Sequence, residues 1–307
     1  MTETTQRTEN QATDLREADN NVFIEGVISE KNLVIGDNEG KECIKGTVTL
    51  QVAETNQIPV NVFLNKFTKE NKENGAYKGM LTVMEQYHSI AEVGKEEATI
   101  VRVSKGKLTP NTYFDEKGQH DTIKYSSNFF NRLNDPNSFS PRAELEVELY
   151  ISAIVREVYR TGENQGEETG RVVVKGWMPT YSGIEPVELI APEEVADAVE
   201  ETYHVGETVR FYCDIVNNKV VEKIEKKALV GKSKIETKTS YQNELRITGA
   251  SEAYEDSKAY DTEIINKAIN VREEKLIEKK EKAQKGNTSA AHQGTKAAPS
   301  ATRRLPF

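Results

Sequence analysis

Two segments of this chain share one sequence pattern, and that repetition limits the possible folds more than any other feature. Residues Val93-Gly94 through Lys107-Leu108 align without a gap on Val205-Gly206 through Lys219-Val220. Upstream, Ile58-Pro59-Val60 resembles Ile184-Glu185-Pro186-Val187, and a short helical stretch follows each. We interpret the chain as a duplicated unit of strand, strand, strand, helix, strand, strand. Two copies are too few for a solenoid, which needs more repeats to close its core.

The alternation of apolar and polar side chains predicts the individual elements of both units. Strands are expected at residues 23–28, 44–52, 58–64, 99–103, 108–114 and 122–130 in the first unit, and at 145–158, 171–178, 184–190, 209–216 and 219–224 in the second. Turns are expected at Asp37 to Gly40, Lys105 to Lys107 and Asn217 to Asn218, and helices at residues 76–91, at 192–202 and from Asp261 onward.

Breaks in this pattern predict how the chain is divided. Residues 134–141, with two prolines among Asn, Asp and Ser, are the clearest interior break. We therefore expect a disordered segment at 1–21, one folded unit at 22–134, a second at 142–225, a basic linker with a helical appendage at 226–285, and a flexible tail at 286–307.

Five short strands with a helix between the third and the fourth follow the order of the OB-fold barrel. On that order, and on the Val-Gly entry to the fourth strand, residues 22–225 resemble the tandem OB domains of phage-type single-stranded DNA-binding proteins. The expected fold is therefore mainly β, with two OB-like five-stranded barrels, a C-terminal helix and disordered tails. The resemblance implies a non-catalytic protein that protects and organises single-stranded DNA during replication or recombination.

The strand from Arg171 to Met178 shows how such a barrel could bind DNA. Val172, Val174 and Met178 share one face, whereas Arg171, Lys175 and the only tryptophan, Trp177, share the other. Cations attract phosphates, and aromatic rings stack on bases of any sequence. Packing under a loop or at a sheet edge is the alternative for Trp177, and packing against the next loop is the alternative for Phe63.

The candidate DNA-contacting residues follow from the same reasoning in both units. The expected stacking residues are Phe63, Trp177 and Tyr181, and the expected phosphate contacts are Lys45, Lys66, Arg102, Lys107, Arg171 and Lys175. The main objection is the net charge of −9, because residues 22–225 alone carry −12. A local cationic groove is still allowed, because the Debye length at cellular ionic strength is about 8 Å.

The sequence offers no pattern for catalysis. The four histidines are far apart in the sequence, and none lies near a cysteine at a spacing typical of metal ligands. We therefore expect no metal site and no cofactor. Cys43 and Cys213 are expected to be buried thiols. Glycine motifs for nucleotides and a nucleophile elbow are absent from the sequence, so an enzyme is not expected. With no membrane-length apolar run and a polar start, the expected location is cytoplasmic, with no membrane partner.

The tail ends in Arg303, Arg304, Leu305, Pro306 and Phe307. A flexible spacer closing in Leu-Pro-Phe resembles the tip by which bacterial single-stranded DNA-binding proteins recruit replication and repair enzymes, although acidic residues precede the tip in that family. An accidental apolar end is the alternative. The helix after Asp261 could dock on a barrel or on a second copy of the chain. A phage structural or adaptor protein that uses OB barrels for protein docking is the alternative function.

Overall fold

The computed structural model describes residues 15–115, 118–160, 162, 164–226 and 234–291. The fold is mainly β, with a long helix at its C-terminal end. The strands are β1 (Asn20–Asn38), β2 (Lys41–Gln51), β3 (Gln57–Asn65), β4 (Ile100–Asp115), β5 (Gly118–Ser126), β6 (Phe130–Arg132), β7 (Arg142–Val158), β8 (Glu168–Thr180), β9 (Gly183–Ala191), β10 (Thr208–Lys226) and β11 (Lys234–Ala250). The helices are α1 (Gly75–Gln86), α2 (Ile90–Val93), α3 (Glu193–Thr202) and α4 (Thr262–Ala291).

Both units have the same OB-like topology. In the first barrel, β1 pairs with β2 and β4, β2 pairs with β3, and the β4–β5 hairpin meets β3 through a short parallel pairing. In the second barrel, β7, β8, β9, β10 and β11 repeat these pairings in the same order. α1 and α2 lie between the third and fourth strands of the first barrel, and α3 occupies the same place in the second.

The two barrels are joined through their equivalent first strands. β1 pairs with β7 in antiparallel register from Asn20 opposite Val147 to Glu25 opposite Arg142. A side-chain hydrogen bond also links the two barrels, because Nδ2 of Asn56, just before β3, donates to the carbonyl of Ile215 in β10 at 3.0 Å. The buried aliphatic side chains of both barrels form one continuous core.

Two of the expected turns are wrong, and a bulge explains the first. β4 continues through Lys105 to Lys107, where Lys105 has φ +53° and the register against β1 shifts. Such a bulge bends a strand without ending it. Gly106 permits the close approach, because a Cβ there would lie 2.5 Å from the Val22 carbonyl oxygen. β10 likewise continues through Asn217 and Asn218, so the fifth strand of each barrel lies further along the chain than expected.

Two segments outside the expected barrels, 1–21 and 226–285, contribute strand residues to the fold. The fifth strand of the second barrel is β11, which lies in the expected basic linker and helical appendage, where the sequence indicates only an added strand at Leu245 to Thr248; β11 pairs with β10 along its length. At the N-terminal side, the segment expected to be disordered contributes residues 15–19 to the folded structure and the start of β1. Arg16 there forms an ion pair with the buried Glu148, and Ala18 N–H donates to the Pro179 carbonyl.

Candidate nucleic-acid interface

The outward face of β2 and β3 in the first barrel carries an exposed ring beside an exposed cation. Lys45 and Phe63 are directly opposite each other in the β2–β3 register, so their side chains share a face. The Phe63 side chain is 50% exposed. Lys45 is exposed and forms no ion pair with any residue that the structure describes. Among the predicted residues, this pair alone combines an open ring with an adjacent uncompensated charge within the described chain.

The same surface continues onto the segment after β5. The Asn128 side-chain oxygen accepts from the Phe63 backbone N–H at 3.4 Å, which places the 127–129 segment against β3. Phe129 is exposed, and the Lys105 ammonium lies 4.8 Å from the centroid of its ring. A cation at this distance from a ring makes a favourable cation–π contact. We call Lys45, Phe63, Lys105, Asn128 and Phe129 the Phe63 surface.

Sequence reasoning missed three members of the Phe63 surface. Lys105 falls in the segment interpreted as a turn, and Asn128 and Phe129 fall at the end of a strand predicted to run to residue 130. The available signal is the pair Phe129-Phe130, because neighbouring side chains in an extended segment point to opposite sides. The structure buries Phe130 and exposes Phe129 accordingly.

Three other predicted cations of the first barrel have partners within the protein. Lys66 Nζ lies 3.2 Å from the Glu42 carboxylate, Arg102 Nε donates to Glu25 at 2.8 Å, and Lys107 Nζ donates to the Asn20 carbonyl at 2.7 Å. Burial by itself raises the pKa of Glu25, but the hydrogen bonds from Arg102 and the Ser140 backbone N–H leave it below its ordinary value. Arg102 is thus tied to a buried carboxylate, while Lys66 and Lys107 are tied more loosely at the surface.

The basic strand of the second barrel is neutralised by acidic neighbours. Arg171 donates to Glu157 through Nε at 2.7 Å and Nη2 at 2.9 Å, and to Glu244 through Nη1 at 3.0 Å. The Arg171 hydrogen bond holds the pKa of Glu157 below its usual range, and the two carboxylates raise the pKa of the guanidinium. Lys175 lies 3.2 Å from Glu188 on the adjacent strand. Both cations point outward as expected, but each already has a carboxylate partner.

Trp177 is half-buried beneath α4. Its ring packs against a small cluster that includes Ile265 and Ala268 of the helix, and the Arg272 guanidinium lies 5.8 Å from the ring centroid. This arrangement corresponds to the packed alternative for the tryptophan, with a helix as the covering element. Tyr181, at the β8–β9 turn, is 85% exposed.

The remaining sequence expectations concern metals, thiols, membranes and the tail. Within the described ranges, no cluster of three or more His, Cys, Asp or Glu side chains could hold a metal ion. Cys43 and Cys213 are both buried and free, as expected. None of the helices in the described part of the chain is long and apolar enough to span a membrane. Leu305, Pro306 and Phe307, the predicted partner-binding residues, lie outside the described residues.

The family model YorF matches residues 18–283. The crystal structure of the wild-type single-stranded DNA-binding protein from Thermus aquaticus is similar at 11% identity and a TM-score of 0.45, covering 78% of this chain and 96% of that one. A deletion mutant of the same protein aligns at 11% identity and a TM-score of 0.43, covering 80% and 98%. The curated proteins contain no match to this chain.

Proposed function

The chain belongs to the YorF family, and we propose that it is a non-catalytic protein that binds single-stranded DNA through the Phe63 surface of its first barrel. The observation that carries this proposal is the exposed, register-paired Lys45 and Phe63 on the face formed by the second and third strands. Oligonucleotides bind to that face in OB barrels.

Stacking and charge have separate roles on this surface. A base stacked on an aromatic side chain contributes about 1 to 3 kcal/mol and does so for any base, because every base has a π-face. Lys45, opposite Phe63, and Lys105, beside the Phe129 ring, would contact the phosphates next to such a base. The negative charge elsewhere on the protein is screened beyond about 8 Å, so the nearby cations dominate the electrostatic interaction with the DNA.

The biological setting of the proposal rests on the sequence alone. We propose that the protein protects and organises single-stranded DNA during phage replication or recombination in the host cytoplasm. The Leu305-Pro306-Phe307 tip would recruit replication or recombination proteins, with the chain between α4 and the tip acting as a spacer.

The proposal is tested by titrating oligo(dT) and a duplex of equal length against the protein at several salt concentrations. We expect the single strand to bind more tightly and to weaken with added salt. Phe63→Ala should lower the affinity about 5-fold to 150-fold, which corresponds to one lost stacking contact. Tyr159→Ala removes a similarly exposed ring just after β7 and should leave the affinity unchanged. Equal affinity of the wild-type protein for both DNAs, without salt dependence, would reject the proposal.

A protein-docking adaptor is the second candidate, and the neutralised strand face of the second barrel favours it. Arg171 and Lys175 are engaged by Glu157, Glu244 and Glu188, so this barrel shows no free cation on that face within its described residues. Phe63→Ala separates the candidates, since an adaptor keeps its protein partner and a DNA-binding module loses affinity for the oligonucleotide.

A further inference from the structure

We infer that the cleft between α4, the β4–β5 hairpin and the β8–β9 turn is a second contact site for the phosphate backbone of single-stranded DNA. This inference rests on the proposed function and extends it to an element outside both barrels. The cleft has a volume of about 270 Å³, and its polar lining consists chiefly of Asn111, Thr112, Ser182, Arg272, Lys275 and Lys279. Cations with amide and hydroxyl groups are the side chains that commonly contact phosphate oxygens.

The face of α4 that lines this cleft carries positively charged side chains. In a helix with 3.6 residues per turn, Arg272, Lys275 and Lys279 lie on one side, because they are three and four positions apart. Glu273 and Glu274 point away from that side, and neither lines the cleft. One turn before Arg272, the same side carries the buried Ala268. Along α4, this face therefore changes from an apolar packing surface to a positively charged one.

The three cations of the cleft differ in how firmly they are held. Arg272 is nearly buried, donating to Glu185 and to the Thr112 hydroxyl at 3.0 Å each, so it fastens the helix to both barrels. Lys275 makes one long hydrogen bond, 3.4 Å, to the Ser182 carbonyl. Lys279 is exposed and makes no ion pair with any described residue. Since Arg272 already satisfies Glu185, the only carboxylate of the lining, Lys275 and Lys279 remain available for an anion.

The position of the cleft selects a polynucleotide rather than a free phosphate. The outward face of β3 runs from Phe63 through Asn61 to Pro59, about 13 Å at the usual strand rise. Pro59 lines an adjoining cleft of about 700 Å³, which shares Pro110, Asn111 and Thr112 with the α4 cleft. The rest of its lining includes Arg171 and four carboxylates, those of Asp121, Glu157, Glu188 and Glu244, so the DNA would cross it along the shared edge. A single strand stacked on Phe63 can therefore continue along β3 and across the β4–β5 hairpin to reach Lys275 and Lys279.

The decisive variant is Lys275→Gln/Lys279→Gln, with Lys267→Gln/Lys280→Gln as its control. The control removes the same charge from exposed positions of α4 that do not line the cleft. We expect the cleft variant to reduce the slope of log affinity for oligo(dT) against log salt by about 1.4, because each lost phosphate contact on a single strand accounts for about 0.7. The control should keep the wild-type slope. The reduction should appear only with oligonucleotides long enough to extend from Phe63 to α4.

A second readout tests the cleft without DNA. Because Arg272 lies over the ring of the only tryptophan, an anion bound beside it should change Trp177 fluorescence. Titration with inorganic tripolyphosphate should therefore change the emission of the wild-type protein and the control, and should leave that of Lys275→Gln/Lys279→Gln unchanged.

The outcomes separate the two proposals. If Phe63→Ala weakens DNA binding while the cleft variant matches its control in both measurements, the cleft inference is overturned and the proposed function stands. If Phe63→Ala binds like the wild type while the cleft variant alone loses its salt slope and its tripolyphosphate response, the cleft is supported and the Phe63 surface is rejected.

Discussion

Replacing Arg171 tests whether the basic strand of the second barrel stabilises the fold or contacts DNA. Arg171 makes a forked contact with Glu157 and a third hydrogen bond to Glu244, and these carboxylates are only 24% and 12% exposed. Breaking a fully buried ion pair costs about 3 to 5 kcal/mol. Partial exposure and the remaining donors to both carboxylates reduce this cost. We expect Arg171→Gln to lower the free energy of unfolding by about 2 kcal/mol.

The assay is urea unfolding followed by circular dichroism, with Arg156→Gln as the matched control. Arg156 also bonds two carboxylates, Asp197 at 2.6 Å and Glu200 at 2.8 Å, but these are 79% and 43% exposed. Water resolvates such carboxylates when the arginine is removed, so the control should be less destabilised. Affinity for oligo(dT) should be unchanged in both variants. A weaker affinity and a flatter salt slope for Arg171→Gln, with stability equal to the control, would refute the reasoning.

The pH dependence of the same variant follows from linkage. The pKa values of Glu157 and Glu244 lie below their ordinary value in the folded protein, for Glu157 mainly because of the Arg171 hydrogen bond and for Glu244 because hydrogen bonds outweigh its burial. A lowered pKa gives stability that is present above the unfolded-state pKa and is lost as the pH falls through the folded-state value. Arg171→Gln should therefore show a smaller loss of stability between about pH 7 and pH 3.

Two further predictions concern buried polar groups. Glu25→Gln should destabilise the first barrel by about 1 to 3 kcal/mol in urea unfolding, because the 1% exposed carboxylate accepts hydrogen bonds from both Arg102 and the Ser140 backbone N–H. A stability equal to that of the wild type would contradict a role of Glu25 in holding β1, β4 and β7 together. Burial raises the pKa of the Cys213 thiol, so native protein should react with a thiol reagent far more slowly than unfolded protein, and fast labelling of both cysteines before unfolding would contradict the packing.

Side-chain alternation predicts on which side of a strand each residue lies, but not which residues it contacts there. In β8, Val172, Val174 and Met178 are buried and Lys175 is exposed, as the pattern indicates. The pattern contains no information on Glu244, which lies 73 residues beyond Arg171 in the chain and is brought beside it only by the β11 pairing. In β8 the pattern therefore predicted which way the charged side chains point, but not whether their charges are available to a ligand.

The wrong turns have a related cause. A Lys-Gly-Lys sequence is compatible with a turn or with a bulged strand, because both need the same backbone freedom. Asn217 and Asn218 lie in regular strand, since the register of β10 against β11 does not shift there. In β4 the choice is made by β1, which pairs with the strand on both sides of the bulge, Ile24 with Val103 and Val22 with Gly106. Because the two copies share this pattern, the same misinterpretation displaces the expected fifth strand of each barrel.

The duplication explains the scaffold, whereas the differences between the copies explain the site. Phe63 lies on the third strand of the first barrel and Trp177 on the second strand of the second barrel, but only Phe63 is left open, since α4 lies over Trp177. The helix that closes the second face also presents Lys275 and Lys279 beyond its edge. If the second barrel had kept an open face, two equal binding sites would follow. Because it did not, the site should be one asymmetric track from the first barrel to α4, and a stoichiometry of two independent oligonucleotides per chain would exclude that arrangement.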